Sequence, residues 1–264
     1  AAARLRWVHS SAAAVQGLLP LPDLAGRGIA VSNSRGIQAV AIAEHVMGGL
    51  LVLSRKYKQI LMAQQQHRWI QNDLTSDWPW LLQGRRMSIV GLGTIGMEIA
   101  KRAHAFGMTV RGVRRRADGE RPPFVERVFG TDQIDEAISD AEILVLSAPG
   151  VAATHGMIDA ARLAMLERGA ILVNVARAQI VNGPAMLSAL ESGQLGGAVL
   201  DVFEREPLDA ADPLWSMPNV VITPHSSGFR ASHWDDVIEM FSENLERFQR
   251  GDALVNSVDP TAGY

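Results

Sequence analysis

The residues best placed to do chemistry begin with Gly91-Leu92-Gly93-Thr94-Ile95-Gly96, a G-x-G-x-x-G run behind the apolar stretch Ser88-Ile89-Val90. A helix-compatible run from Met97 to Phe106 follows it. Such a turn offers backbone N–H groups and a helix N-terminus to a pyrophosphate. Its first glycine makes the turn, its second lets the phosphates approach, and its third lets helix pack on strand. The run nominates a dinucleotide cofactor, with a ligand-free structural turn as the other reading. A second group, Arg114-Arg115-Arg116, ends the next strand-like run. NAD-binding folds place an acidic residue there for the ribose hydroxyls, and none is present. Guanidiniums suit a 2′-phosphate through charge-assisted, bidentate hydrogen bonds, so the pattern favours NADP, with NAD possible and a solvated basic loop as the plain alternative.

Positioning such groups takes strands that alternate with helices, and the sequence alternates from residue 85 onward. Strands are expected at 87–90, 109–113, 143–147, 171–175, 198–202 and 220–223, with helices at 94–106, 133–138, 160–167 and 184–191. Asp159 is placed to cap one helix, Pro184 suits the first turn of another, and Gly193 can close it in the left-handed conformation. The fold class is α/β, a doubly wound parallel sheet of the Rossmann type. A strand-like run at 5–8 precedes it. A long helix at 42–58 repeats Val46, Gly49, Leu50, Leu53 and Tyr57 at helical spacing. A last helix at 232–250 opens with Ser232 and Asp235 as a capping box and is expected to bury Val237, Ile238, Phe241, Leu245 and Phe248. Residues 64–82 carry Trp69, Trp78 and Trp80 without periodicity, which reads as a docked arm or a partner surface.

At 264 residues the chain can bury one large core or two modest ones. A net charge of −3 argues against a general nucleic-acid binder. The absence of cysteine excludes disulfides, thiolate metal sites and a cysteine nucleophile, and fits a cytoplasmic location. The longest apolar run, 46–53, falls well short of the roughly 20 residues that span a bilayer. His9, His45, His67, His104, His155 and His233 show no metal-ligand spacing and read as structural or exposed.

Three further signatures lie at expected strand ends: Val173-Asn174-Val175-Ala176-Arg177, Asp201-Val202-Phe203-Glu204-Arg205-Glu206-Pro207-Leu208 and Thr223-Pro224-His225. With the glycine turn, their order and spacing resemble the D-isomer-specific 2-hydroxyacid dehydrogenases, glyoxylate/hydroxypyruvate reductases in particular, from Arg4 to Val258. Reduction of a 2-oxo acid needs a cation for the carboxylate, a hydride donor, and an acid for the carbonyl oxygen. The resemblance implies that Arg177 binds the carboxylate and polarises the carbonyl. It makes His225 the proton donor, paired with Glu206 rather than Glu204. Asp201 then holds the nicotinamide carboxamide. It extends the cofactor site over Gly91 to Gly96, Arg114 to Arg116, Ala148, Pro149, Ala176, Asp201 and His225. Taken singly, Arg177 could bridge a helix C-terminus, His225 could be a satisfied structural histidine, and Glu206 could only shape the turn before Pro207.

The resemblance also implies two domains: a dinucleotide-binding domain at 55–225, and a flavodoxin-like substrate domain at 1–54 and 226–264. The opening strand–helix units of the latter have no counterpart here. Two positions depart from the pattern: Ala14, where relatives carry a glycine that gives the substrate carboxylate room, and Ala178, where glycine usually follows the arginine. The helix at 42–58 and the tryptophan-bearing segment after it resemble the family's dimerisation arm, so a homodimer is expected. The implied substrate is a small 2-oxo or 2-hydroxy acid, glyoxylate or hydroxypyruvate first. The alternatives are a phosphite- or formate-type dehydrogenase and a non-catalytic, corepressor-like dinucleotide sensor.

Overall fold

The computed structural model describes residues 4–13, 15 and 21–259. In chain order the elements are β1 (Trp7–Ser10), α1 (Leu21–Gly26), β2 (Ala30–Asn33), α2 (Ala39–Ser54), α3 (Tyr57–Gln65), β3 (Arg86–Val90), α4 (Thr94–Ala105), β4 (Thr109–Val113), β5 (Arg127–Phe129), α5 (Ile134–Ile138), β6 (Ile143–Leu146), α6 (Ala160–Met165), β7 (Ala170–Asn174), α7 (Gly183–Glu191), β8 (Leu195–Leu200), β9 (Val220–Ile222) and α8 (His233–Arg250). They form two units, one over 39–228 and one combining 1–38 with 229–264.

In the larger unit seven parallel strands lie in the order β5-β4-β3-β6-β7-β8-β9. The chain enters at β3, winds outward through β4 and β5, then returns to β6 and winds the other way. This is the doubly wound fold, and its reversal of strand order lies between β3 and β6. Alternate side chains of each strand supply two cores. Met87, Ile89, Val145, Val173 and Val199 face α2 and α4. Val90, Leu144, Leu146, Leu172 and Leu200 pack with the α5–α7 residues Ala137, Leu163 and Leu190. Both faces are therefore covered, as parallel sheets require. The expected punctuation is in place: Asp159 accepts the Arg162 N–H at 2.9 Å, and Gly193 takes φ 72°.

At the foot of the sheet Glu142 accepts Arg85 Nη1 at 2.6 Å and the Arg86 amide at 3.0 Å. Burial pushes its carboxyl up, but the hydrogen bonds from Arg86 and Arg85 and the two guanidinium charges outweigh burial and hold it below the usual carboxylate range. A depressed folded value stabilises above the unfolded value and is lost as pH falls through the folded one. Glu142→Gln is expected to lower the thermal midpoint by about 2–4 °C at neutral pH, the equivalent of about 1 kcal/mol in a chain of this size. The gap should close as wild type is acidified through the lowered Glu142 value. A gap that stays constant in a calorimetric pH series would count against this role.

Several expectations are corrected. The helix expected at 42–58 breaks after Ser54: Lys56 takes a left-handed φ of 60° and pairs with Asp77, and α3 starts afresh with Tyr57 exposed. β2 and β5 were not foreseen, and the first strand lies two residues later than the run at 5–8. Ala14 lies outside the described residues.

In the smaller unit β1 and β2 pair in parallel over a small core of Val8, Leu24, Ile29, Val31 and Val258. Trp7 stacks on Phe241 and Phe248 of α8 with centroids 5.2 and 5.6 Å away. The capping box at Ser232 does not form, because its hydroxyl turns to Asp236 Oδ2 at 3.2 Å instead of a backbone N–H. Of the residues expected to be buried on α8, Val237 is, while Ile238, Phe241 and Leu245 are exposed. Two short strands cannot cover the face of an 18-residue helix.

Candidate active site

The glycine turn joins β3 to α4 at the C-terminal edge of the sheet, beside the point where strand order reverses. Gly91 takes φ 105°, and a Cβ there would lie 2.4 Å from the Ala148 nitrogen at the end of β6. A Cβ on Gly96 would lie 2.3 Å from the Gly91 carbonyl. The protein itself thus demands the first and third glycines. Nothing lies within 4 Å of a Cβ on Gly93, the residue that precedes α4. No side chain caps that helix, so the N–H groups of its first turn face the open side of Gly93. An uncapped helix N-terminus beside an unfilled glycine fits the pyrophosphate of a dinucleotide. Ser147 Oγ donates to the Gly91 carbonyl at 2.9 Å, and Thr154 Oγ1 donates to the Pro149 carbonyl at 2.8 Å, which fixes the loop carrying Ala148 and Pro149.

The arginine loop follows β4. Arg114 is half-buried; its amide donates to the Phe129 carbonyl at 3.0 Å and its Nη2 to the Glu120 carbonyl at 3.0 Å, so it ties the loop to itself. Arg115 and Arg116 are exposed.

The remaining candidates leave the C-terminal ends of three adjacent strands. At the end of β7, the buried Asn174 accepts the Ala176 N–H at 3.1 Å and donates to the Arg177 carbonyl at 3.0 Å, clamping the turn that carries Arg177. The stem of Arg177 lies over Gly150, where a Cβ would sit 2.5 Å from Arg177 Cγ. Its Nη1 donates to the Ala176 carbonyl at 2.5 Å, and no ion pair engages it among the described residues. Ala178 opens a short 3-10 helix, Ala178–Ile180.

Beyond β8, Asp201 is fully buried, with Oδ1 accepting Thr223 Oγ1–H at 2.6 Å and the Ser226 N–H at 2.9 Å, and Oδ2 accepting the Ser227 N–H at 3.0 Å. Beyond β9, His225 takes a left-handed φ of 52°, and its Nδ1 meets Glu206 Oε2 at 2.7 Å. Glu206 is held in turn, because its Oε1 accepts the Phe203 N–H at 3.0 Å. Of the two carboxylates in that loop, Glu206 is the one that meets the imidazole, while Glu204 lies beside Gly183. With Nδ1 occupied, the free imidazole edge is Nε2.

The sequence points to Arg177, Asp201, Glu206 and His225; their supports are Asn174 and Thr223, which lie inside the motifs, and His45, Ser226 and Ser227, which lie outside them. His45 Nε2 lies 3.1 Å from Thr223 Oγ1 and 4.0 Å from Asp201 Oδ1. A lone histidine on an apolar helix carries no signal for a partner 178 residues away.

Comparison with known proteins points to one family. The profile of a family described as "D-isomer specific 2-hydroxyacid dehydrogenase, NAD binding domain" matches residues 47–227. A glyoxylate reductase from Korarchaeum cryptofilum is 31% identical over 267 residues, spanning 98% of this chain and 77% of that protein. An NADPH-dependent glyoxylate/hydroxypyruvate reductase from Sinorhizobium meliloti, solved with NADP and sulfate, superposes with a TM-score of 0.84 at 29% identity, covering 98% of this chain and 80% of that one. A D-isomer-specific 2-hydroxyacid dehydrogenase from Xanthobacter autotrophicus, solved with NADPH and MES, gives a TM-score of 0.84 at 31% identity, with 98% and 79% covered.

Proposed function

This chain belongs to the D-isomer-specific 2-hydroxyacid dehydrogenases, NAD(P)-dependent oxidoreductases of 2-hydroxy and 2-oxo acids, and on that premise we propose that it reduces glyoxylate or hydroxypyruvate with NADPH. The observation that carries the reading is the His225–Glu206 couple at 2.7 Å on the C-terminal edge of the sheet. A carboxylate on Nδ1 fixes the orientation of the ring and leaves Nε2 as the edge from which a proton can be delivered. Arg177, with no ion pair among the described residues, takes the substrate carboxylate and polarises the carbonyl. When bound, the nicotinamide supplies a hydride to the carbonyl carbon. His225 Nε2 passes a proton to the carbonyl oxygen, which completes the 2-hydroxy acid, and the ring regains its proton from solvent.

The glycine turn and the first turn of α4 hold the pyrophosphate, with Ala148, Pro149 and Ala176 lining the rest of the cofactor site; Asp201 lies buried behind it, its carboxylate taken by the Thr223 hydroxyl and the Ser226 and Ser227 amides. Arg115 and Arg116 take the 2′-phosphate while Arg114 holds their loop. The test runs NADPH and NADH in parallel with glyoxylate and hydroxypyruvate, following loss of the reduced nicotinamide. NADPH is expected to be the better donor. The pair Arg115→Glu and Arg116→Glu is expected to raise KM for NADPH by about 10–100-fold and to change KM for NADH by less than about threefold. Equal losses with both cofactors would refute the assignment.

A homodimer through α3 and the segment after it is part of the same proposal. Tyr57, Leu61, Met62, Trp69 and Trp78 are all exposed there, Trp69 at 90%. Large apolar side chains left exposed along one segment are what an interface between copies would cover. A cytoplasmic location belongs to the same proposal; among the described residues no helix is long and apolar enough to cross a membrane.

A further inference from the structure

The proton-delivering imidazole sits on a turn that its own backbone does not favour. His225 has a left-handed φ of 52°, a conformation that side-chain-bearing residues adopt only when their surroundings enforce it. Two sets of bonds enforce it from opposite sides, and both end on one carboxylate. Ahead of His225, the Thr223 hydroxyl donates to Asp201 Oδ1 at 2.6 Å; behind it, the Ser226 and Ser227 amides donate to Asp201 Oδ1 and Oδ2 at 2.9 and 3.0 Å. The His225 amide closes the turn on the Thr223 carbonyl at 3.0 Å. Asp201 is fully buried, so water cannot replace a donor that is lost.

The hydroxyl of Thr223 has one proton, and the short bond to Asp201 uses it. His45 Nε2, at 3.1 Å, must then be the donor to the Thr223 oxygen. That makes a chain in which His45 donates to Thr223, Thr223 donates to Asp201, and Asp201 gathers the turn around His225. Each link polarises the next in a buried setting. We infer that Thr223 and His45 are positioning residues for proton delivery, acting through the buried Asp201 to hold the His225 turn. This rests on His225 being the proton donor. Its test separates the hydroxyl from mere packing, since valine keeps the shape of threonine without the hydroxyl and serine keeps the hydroxyl without the methyl.

Thr223→Val is expected to lower kcat for glyoxylate by about 10–100-fold, the scale of a catalytic group displaced by about 1 Å. Thr223→Ser is expected to stay within about threefold of wild type. A packing role predicts the opposite order. His45→Leu should follow Thr223→Val in direction, and His45→Gln, whose amide can still donate, should recover part of the loss. Hydrogen exchange at the Ser226 and Ser227 amides provides a reading independent of turnover. It is expected to quicken by about tenfold or more in Thr223→Val and to stay near wild type in Thr223→Ser. Unchanged exchange and kcat in the valine variant, or serine behaving as badly as valine, would overturn the inference. Should wild type reduce no 2-oxo acid, the exchange comparison alone decides whether the chain holds the turn, and the failure then falls on the functional reading.

Discussion

Replacing His225 with Gln is expected to lower kcat by about 10²–10⁴-fold and to leave the dissociation constant of NADPH within about twofold. Gln retains an N–H that can meet Glu206 Oε2, the partner now 2.7 Å from His225 Nδ1, so the loop keeps its internal bond. It has no titratable proton to give, and that is the whole of the intended defect. Because position 225 holds a left-handed backbone, His225→Asn is the necessary companion, since Asn tolerates that conformation better than other side chains. A loss shared by both variants comes from the missing acid; a loss in Gln alone comes from backbone strain. Single-turnover kinetics and NADPH fluorescence titration read the two quantities separately. Turnover that survives in both variants would remove His225 from the reaction.

Arg177→Gln is expected to damage both parameters. The lost polarisation of the carbonyl should lower kcat by about 10²–10³-fold. The lost charge-assisted pair with the substrate carboxylate should raise KM by about 10–100-fold, the equivalent of about 1.5–3 kcal/mol. Gln is chosen because the stem of Arg177 packs over Gly150 and a shorter side chain would open a gap there. Arg177→Lys restores charge but not the planar fork, so it should recover KM more than kcat. A rise in KM with kcat unchanged would limit Arg177 to binding.

The sheet was readable from the sequence where its chemistry is local. β6 and β7 are short, nearly continuous apolar runs because both faces of a parallel sheet are buried, and the expected boundaries of these strands and of β3 and β4 miss by a residue at most. The glycine turn was readable because Gly91 and Gly96 answer to close backbone approaches that no other residue permits. β5, Arg127-Val-Phe129, is an edge strand whose three residues carry no periodicity, and only its pairing to β4 defines it. The break at Lys56 has no glycine or proline to announce it; a pairing with Asp77, 21 residues on, accompanies it. The periodicity of α8 was plain, but periodicity says which face is apolar and not whether anything covers it, and Ile238 remains 60% exposed. The site shows the same division. Arg177, Glu206 and His225 stand in recognisable motifs, whereas the support from His45 exists only after α2 and the end of β9 are brought together by folding.

The most direct measurement of the central claim is the fate of hydrogen from C4 of the nicotinamide. NADPH carrying deuterium at both C4 positions would be incubated with the protein and glyoxylate or hydroxypyruvate, and the product examined by mass spectrometry and NMR. The account predicts a 2-hydroxy acid with a single deuterium on C2 and none on its hydroxyl oxygen after exchange, with its formation lost in His225→Gln. NADPH binding without deuterium reaching C2 of either acid would contradict it and would favour a protein that senses the dinucleotide rather than one that uses it.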